Sequence, residues 1–358
     1  MKRAFLLLLL VPLVQADHLD DGTYRCDGGW CSDGEDHILS CSRFGCEGDT
    51  RGFPTIQSPT FGDGSWLDDD DWIIAVTAGG ATKVYPLRII SGQQGWELIT
   101  DHVGGEPVVV TYCPLCGSPI AFSRVVEGKT LDFLNSGAIW RFDLVMYDRD
   151  TGSQWSQVAG EALDGAHHGT VLELVDQQVS TWKDWRRSHA APVMERPVAM
   201  DGTDLCRCPV FRPGGAQLVT GVVTDAYAAA FRYADVARVG AANLATPDGS
   251  LVATITGDTL NVYWSQGAVF TTVTDSLMED RDGNVYERST GQGADGSVLE
   301  RAQTRTTLTS RWDLFFPETL YFEASNDAPP FQEKETPGSG FLAAVVAVGF
   351  AFRCNRRR

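Results

Sequence analysis

The chain has 358 residues, with 29 Lys and Arg against 47 Asp and Glu, a formal net charge of −18. That balance excludes a broad phosphate-binding surface, so no nucleic-acid partner is expected. A hydrophobic share of 43 %, including 17 Phe and 10 Trp, fills one large core or two ordinary ones and excludes wholesale disorder.

Met1-Lys2-Arg3, an apolar run from Ala4 to Val14 and the small-residue end Gln15-Ala16 form the three zones of a secretory signal peptide, residues 1–16. Residues 17–53 follow as a Gly/Asp/Ser-rich segment carrying Cys26, Cys31, Cys41 and Cys46. With few core formers around them, these four are expected to make two disulfides in an oxidising compartment; the pairing is open, and a four-thiolate zinc site is the alternative.

From residue 54 the chain turns to short β-rich runs punctuated by Gly, Asp and Pro: Trp72 to Thr77, Lys83 to Ile89, Val108 to Tyr112, Ile120 to Val126 and Leu144 to Tyr147. They make up a first β-rich unit, 54–205. Inside it, Cys113-Pro114-Leu115-Cys116-Gly117 closes one apolar run, and Ser118-Pro119-Ile120 opens the next. The pair therefore belongs to a tight strand-to-strand turn.

Three readings of that turn are open. A local disulfide suits an oxidising compartment. A thiol-disulfide oxidoreductase needs its first thiol at a helix N-terminus, which Gly117 and Pro119 leave no room for. A metal knuckle aims both sulfurs at one soft ion, zinc or copper, and takes further donors from His189 or from Cys206 and Cys208. Cys113, Cys116 and His189 are the expected metal set. His167-His168 reads as a loop. Asp148 to Gly152 and Asp280 to Asn284 read as hairpin turns, because neither supplies the sixth-position Gly and twelfth-position Glu of a calcium loop.

A second β-rich unit, 206–328, is expected from an internal repeat. Ile74 to Tyr85 lies without gaps on Val222 to Tyr233, Met146 to Asp150 on Met278 to Asp282, and Trp182 more loosely on Trp312. The repeat predicts a strand-turn-strand for Val222 to Tyr233, against the helix that alanine content favours from Ala226 to Ala237. A linker, 329–337, then leads to an apolar stretch at 338–353 closed by Arg353, Arg356, Arg357 and Arg358. It reads as a single-pass anchor with Cys354 in the cytosol.

The predicted fold is mainly β: two tandem copies of a β-rich unit with few short helices, a small disulfide-bonded N-terminal segment and a C-terminal membrane helix. Losing Lys2 and Arg3 with the signal peptide, and placing the four terminal arginines across the membrane, would take the exposed charge from −18 to −24. There is no G-x-S-x-G, H-E-x-x-H, phosphate loop or dinucleotide fingerprint to name a reaction.

One family is resembled. Trp66 to Asp71, Val84-Tyr85-Pro86-Leu87-Arg88-Ile89, Val103 to Gly117 with its Tyr112-Cys113-Pro114-Leu115-Cys116-Gly117 string, Leu144 to Gly152 and Trp155-Ser156-Gln157 are similar to the domain-of-unknown-function family 3179. The likeness is strong over about residues 54 to 195 and weak in the second unit. It implies a domain identity, frequent export, and no established activity. Two departures stand out. Trp96 occupies a place where the family commonly has a histidine, and Trp140-Arg141-Phe142 replaces a Tyr-Asn-Ser pattern. The reading is therefore an anchored extracytoplasmic domain that binds a soft metal, with an oxidoreductase or a site-free structural protein as alternatives.

Overall fold

The computed structural model describes residues 55–91, 96–114, 116–141, 143–197 and 218–324, with the backbone of three short strands at Arg25–Asp27, Trp30–Ser32 and Ile38–Ser40. Outside the described residues lie the signal peptide, Cys41 and Cys46, the Cys206/Cys208 pair, the linker, the apolar anchor and Cys354. Cys26 and Cys31 sit opposite each other as Cα partners in a three-stranded sheet.

The described chain is mainly β, with three helices of seven residues each. Its first run of elements is β1 (Trp72–Ala78), β2 (Ala81–Pro86), β3 (Leu98–Val103), β4 (Glu106–Cys113), β5 (Ser118–Ser123), β6 (Phe133–Trp140), β7 (Asp143–Asp148), β8 (Gln154–Ser156), β9 (Asp176–Thr181), α1 (Trp182–Ser188) and β10 (Val193–Met194). The second run is β11 (Leu218–Val223), β12 (Ala228–Arg232), α2 (Tyr233–Val239), β13 (Ala241–Thr246), β14 (Gly249–Thr256), β15 (Thr259–Trp264), β16 (Phe270–Thr272), β17 (Leu277–Asp280), β18 (Val285–Glu287), β19 (Arg305–Leu308), α3 (Thr309–Phe315) and β20 (Leu320–Tyr321).

β1 shows why these residues make these strands. Its near-continuous apolar run has no polar face because both faces are covered, as such runs require. Ile74 and Val76 enter one core with Tyr85 and Val110, whereas Ile73 and Ala75 enter another with Val84 and Trp185.

Order and direction recur between the two runs. In the first, β9 pairs antiparallel with β1, β1 with β2, and β2 lies parallel to β10; β19, β11, β12 and β20 repeat this arrangement. The meander β3-β4-β5 has its counterpart in β13-β14-β15, and β6-β7-β8 in β16-β17-β18. Thr181 opposite Trp72 caps the entry to α1 where Leu308 opposite Leu218 caps the entry to α3.

This pairing corrects the ungapped register. With Leu218 in the place of Trp72, Thr220 rather than Val222 stands where Ile74 stands, and its partner Phe231, not Tyr233, stands where Tyr85 stands. A shift of two residues keeps every side chain on its own face, which is why the wrong alignment looked acceptable. The strand-turn-strand itself is present, because Ala229 and Ala230 are fully buried between two clusters and burial overrides their helix propensity. That propensity takes over from Tyr233, the first residue of α2. Likewise Trp312 matches Trp185, each being the buried fourth residue of its helix, rather than Trp182.

Two glycines hold the first hairpins together. Gly79 (φ 52°) and Gly104 (φ 58°) turn back to back, and a Cβ on Gly104 would stand 2.3 Å from the carbonyl oxygen of Ala78. Gly104→Ala is expected to lose at least about 2 kcal/mol, since it combines a left-handed backbone with a backbone clash. A fall in the urea midpoint at unchanged m-value checks this.

The two runs exchange contacts. The β4–β5 turn of the first meets β19 of the second, where Leu308 N–H (2.9 Å) and Thr307 Oγ1 (3.0 Å) both donate to the Cys116 carbonyl. Reciprocally, the β14–β15 turn meets β9 and α1, with Asp258 N–H donating to Asp184 at 2.8 Å and Ser180 bonded to Thr259 at 2.8 Å. Among the described residues no helix is long and apolar enough to cross a membrane.

Candidate metal centre

Cys113 is the last residue of β4 and pairs with Ser118, the first of β5. Four residues bridge them, and the Cys116 N–H closes the turn on the Cys113 carbonyl at 3.2 Å. Gly117 completes it at φ 59°, a conformation that a side chain disfavours. No disulfide joins the two cysteines in the structure, and both are buried in a core with Leu98, Phe133 and Trp155.

Asp143 opens β7 and is fully buried. One carboxylate oxygen accepts the Val158 N–H at 2.8 Å, and the other, Oδ1, has no donor besides the neighbouring thiols. The donor atoms of Cys113, Cys116 and Asp143 lie within 4.8 Å of one another. Among the described residues this is a set of two sulfurs and one carboxylate converging on a common point.

Electrostatics there disfavour charge. Burial pushes the Asp143 carboxyl up to about 7, against a lesser pull downward from the Val158 N–H and the two thiols. The Cys116 thiol is pushed far up by its hydrogen bond with Cys113, by burial and by Asp143. Glu97, just before β3, is raised to about 7 by burial, held back by the Asn135 amide donating at 2.7 Å, and pushed further by Asp143. Metal-free, the site shifts Asp143, Glu97 and Cys116 toward their protonated forms. A cation would reverse each of these preferences.

Neutral partners fix the floor of the turn. The buried Gln157 donates to Thr111 Oγ1 (2.8 Å) and the Ser118 carbonyl (2.6 Å) and accepts from Ser118 Oγ (2.8 Å). Its three bonds set the β4 and β5 ends at fixed spacing.

His189, expected as the third donor, is not in the cluster. It caps α1, stacks on Trp185 with ring centroids 4.1 Å apart, and lines a cleft with Thr256, Thr259 and Ser289 of the second run. His167 lies beside the Trp155 ring in a turn. Asp148 accepts from Thr151 and from Trp155 Nε1 at 2.9 Å, so Asp148 to Gly152 is a hairpin turn braced on its own aspartate.

Asp143 was missed in the sequence because it reads as the polar residue before an apolar strand. The available signal was its position, an acid directly heading four core formers with no turn residue between. Glu97 had only its place in the family-like string.

Residues 50–199 match the model of a family described as Protein of unknown function (DUF3179), a span that contains the turn, Asp143 and Glu97. No curated protein and no solved structure matches the chain.

Proposed function

The segment 50–199 is a domain of that family, whose description names no activity, and from its buried cluster we propose that the protein binds one soft or borderline metal ion, zinc(II) or copper(I), through Cys113, Cys116 and Asp143. The observation that carries this is the convergence of three donor atoms within 4.8 Å, one of them on a fully buried carboxylate. A buried carboxylate charge is costly, and a cation between it and two sulfurs offsets that cost.

Sulfur donors favour zinc and copper(I) over calcium or magnesium. Thiol-disulfide exchange fits less well, since an attacking thiol works as an exposed thiolate, while these thiols are buried and Cys116 is held protonated. In this reading residues 1–16 export the chain, 338–353 hold it at a membrane, and metal loading keeps the pair from oxidising.

The test is titration of the reduced protein with cobalt(II) and then zinc(II). One equivalent of cobalt should produce sulfur-to-metal charge-transfer absorption, which zinc then bleaches. An unchanged spectrum, with both thiols equally reactive before and after zinc, would remove the metal reading.

A further inference from the structure

The second run holds a counterpart of the site, and that counterpart already contains a cation. Thr111 lies opposite Leu98 and Ile120, as Thr254 lies opposite Ala241 and Asn261. Glu97 and Gly240, each one residue earlier than these β3 and β13 partners, are therefore equivalent. Met146 faces Trp155 as Met278 faces Tyr286, which makes Asp143 equivalent to Asp275 and Gln157 to Arg288. The backbone agrees: Gln157 N–H donates to Leu144 (3.0 Å) and Arg288 N–H to Ser276 (2.8 Å), residues that are themselves equivalent.

Arg288 is 4 % exposed. Its Nε reaches Thr254 Oγ1, the counterpart of the hydroxyl that Gln157 reaches. Beyond that shared contact the guanidinium extends to the carbonyls of Gly240 (3.1 Å), Asp275 (2.9 Å) and Thr274 (3.1 Å). It thus spans the gap between the positions that Glu97 and Asp143 hold in the first run. There, the shorter and neutral Gln157 stops at Thr111 and Ser118, and the gap is bordered by Asp143 and the cysteine turn, with the Glu97 carboxyl close enough to feel Asp143 but outside the set of donor atoms within 4.8 Å of one another. That turn has contracted in the second run to Thr256-Gly257-Asp258-Thr259, with Thr256 in the place of Cys113.

We infer that Arg288 is a built-in cation occupying, in the second run, the place where the first takes its metal, and that Glu97, which stands beside the Cys113, Cys116 and Asp143 set, closes onto the ion as a fourth ligand. The inference rests on the metal reading above and adds to it the ligand that completes a tetrahedron and the residue, Gln157, that keeps the gap open. Zinc entering such a set displaces the protons of the two thiols and of whichever carboxyls carry one.

Two variants of the full-length protein test it. Glu97→Gln keeps shape and the Asn135 contact, and should lower zinc affinity at least 10-fold and shift the cobalt ligand-field bands, which a merely structural role would not do. Gln157→Arg should abolish zinc uptake with all four ligands intact, while the metal-free variant melts at or above the wild-type temperature because its guanidinium meets two carboxyls. Wild-type zinc affinity in both variants would overturn the inference and leave the Cys113/Cys116/Asp143 reading standing. If the wild type itself takes up no zinc, the metal reading falls, and the metal-free melting of Gln157→Arg decides the rest. A midpoint below wild type there overturns the cation equivalence, and a midpoint above it upholds that equivalence.

Discussion

The Cys113→Ser/Cys116→Ser double variant should carry no zinc through gel filtration, and each single variant should bind more than about 100-fold more weakly than the wild type. Loss of a partner that merely orients a ligand already costs about 10- to 100-fold, and these sulfurs are ligands themselves. Asp143→Asn should behave as the single cysteine variants do, because an amide cannot supply the negative charge that a two-thiolate site leaves for its third donor. His189→Ala and His167→Ala are the controls. Both should bind zinc as the wild type does, since His189 is stacked on Trp185 and His167 lies beside the Trp155 ring. Metal retained by the double serine variant would place the ion elsewhere in the chain.

Without metal, the protein should lose stability as pH rises from about 4 to about 7. The sign follows from Asp143 and Glu97, whose carboxyls are raised to about 7 by burial. Between the unfolded and folded values the native state holds protons that the unfolded state has released, so each pH increment favours unfolding until both carboxyls are ionised. For Asp143, a rise from 3.8 to about 7 corresponds to a loss on the order of 4 kcal/mol. Urea midpoints at pH 3.5 and pH 8 in chelator measure it, and subtracting the slope of Asp143→Asn isolates this group from the general acidity of the chain. Saturating zinc should remove most of the difference, since the ion replaces the protons as counter-charge. Equal slopes in the wild type and Asp143→Asn would show that the buried carboxyl does not titrate in this range.

The sequence by itself determined that the described chain is mainly β, because period, length and punctuation of an apolar run are local properties. It also located the cysteine turn, since Pro and Gly around two Cys between apolar runs admit little besides a tight connection. Its family string was legible for the same reason, with 50–199 matched as expected. Repeat register was different. Tyr85 and Tyr233 align letter for letter, yet the backbone pairing puts Phe231 in the place of Tyr85, because burial of Val222, Ala229 and Phe231 in one cluster fixed the strands two residues away from the letter match. What only the tertiary structure decided was the company the cysteines keep. Asp143 is 27 residues past Cys116 and Glu97 is 16 before Cys113, separations across which no periodicity carries information. Asp143 joins the cysteines because β4 and β7 converge on one core, beside the Glu97 end of β3, where excluded water raises both carboxyls to about 7. His189, nearer to expectation by residue type, was carried away by α1, whose buried Trp185 binds that helix to the opposite face of β1.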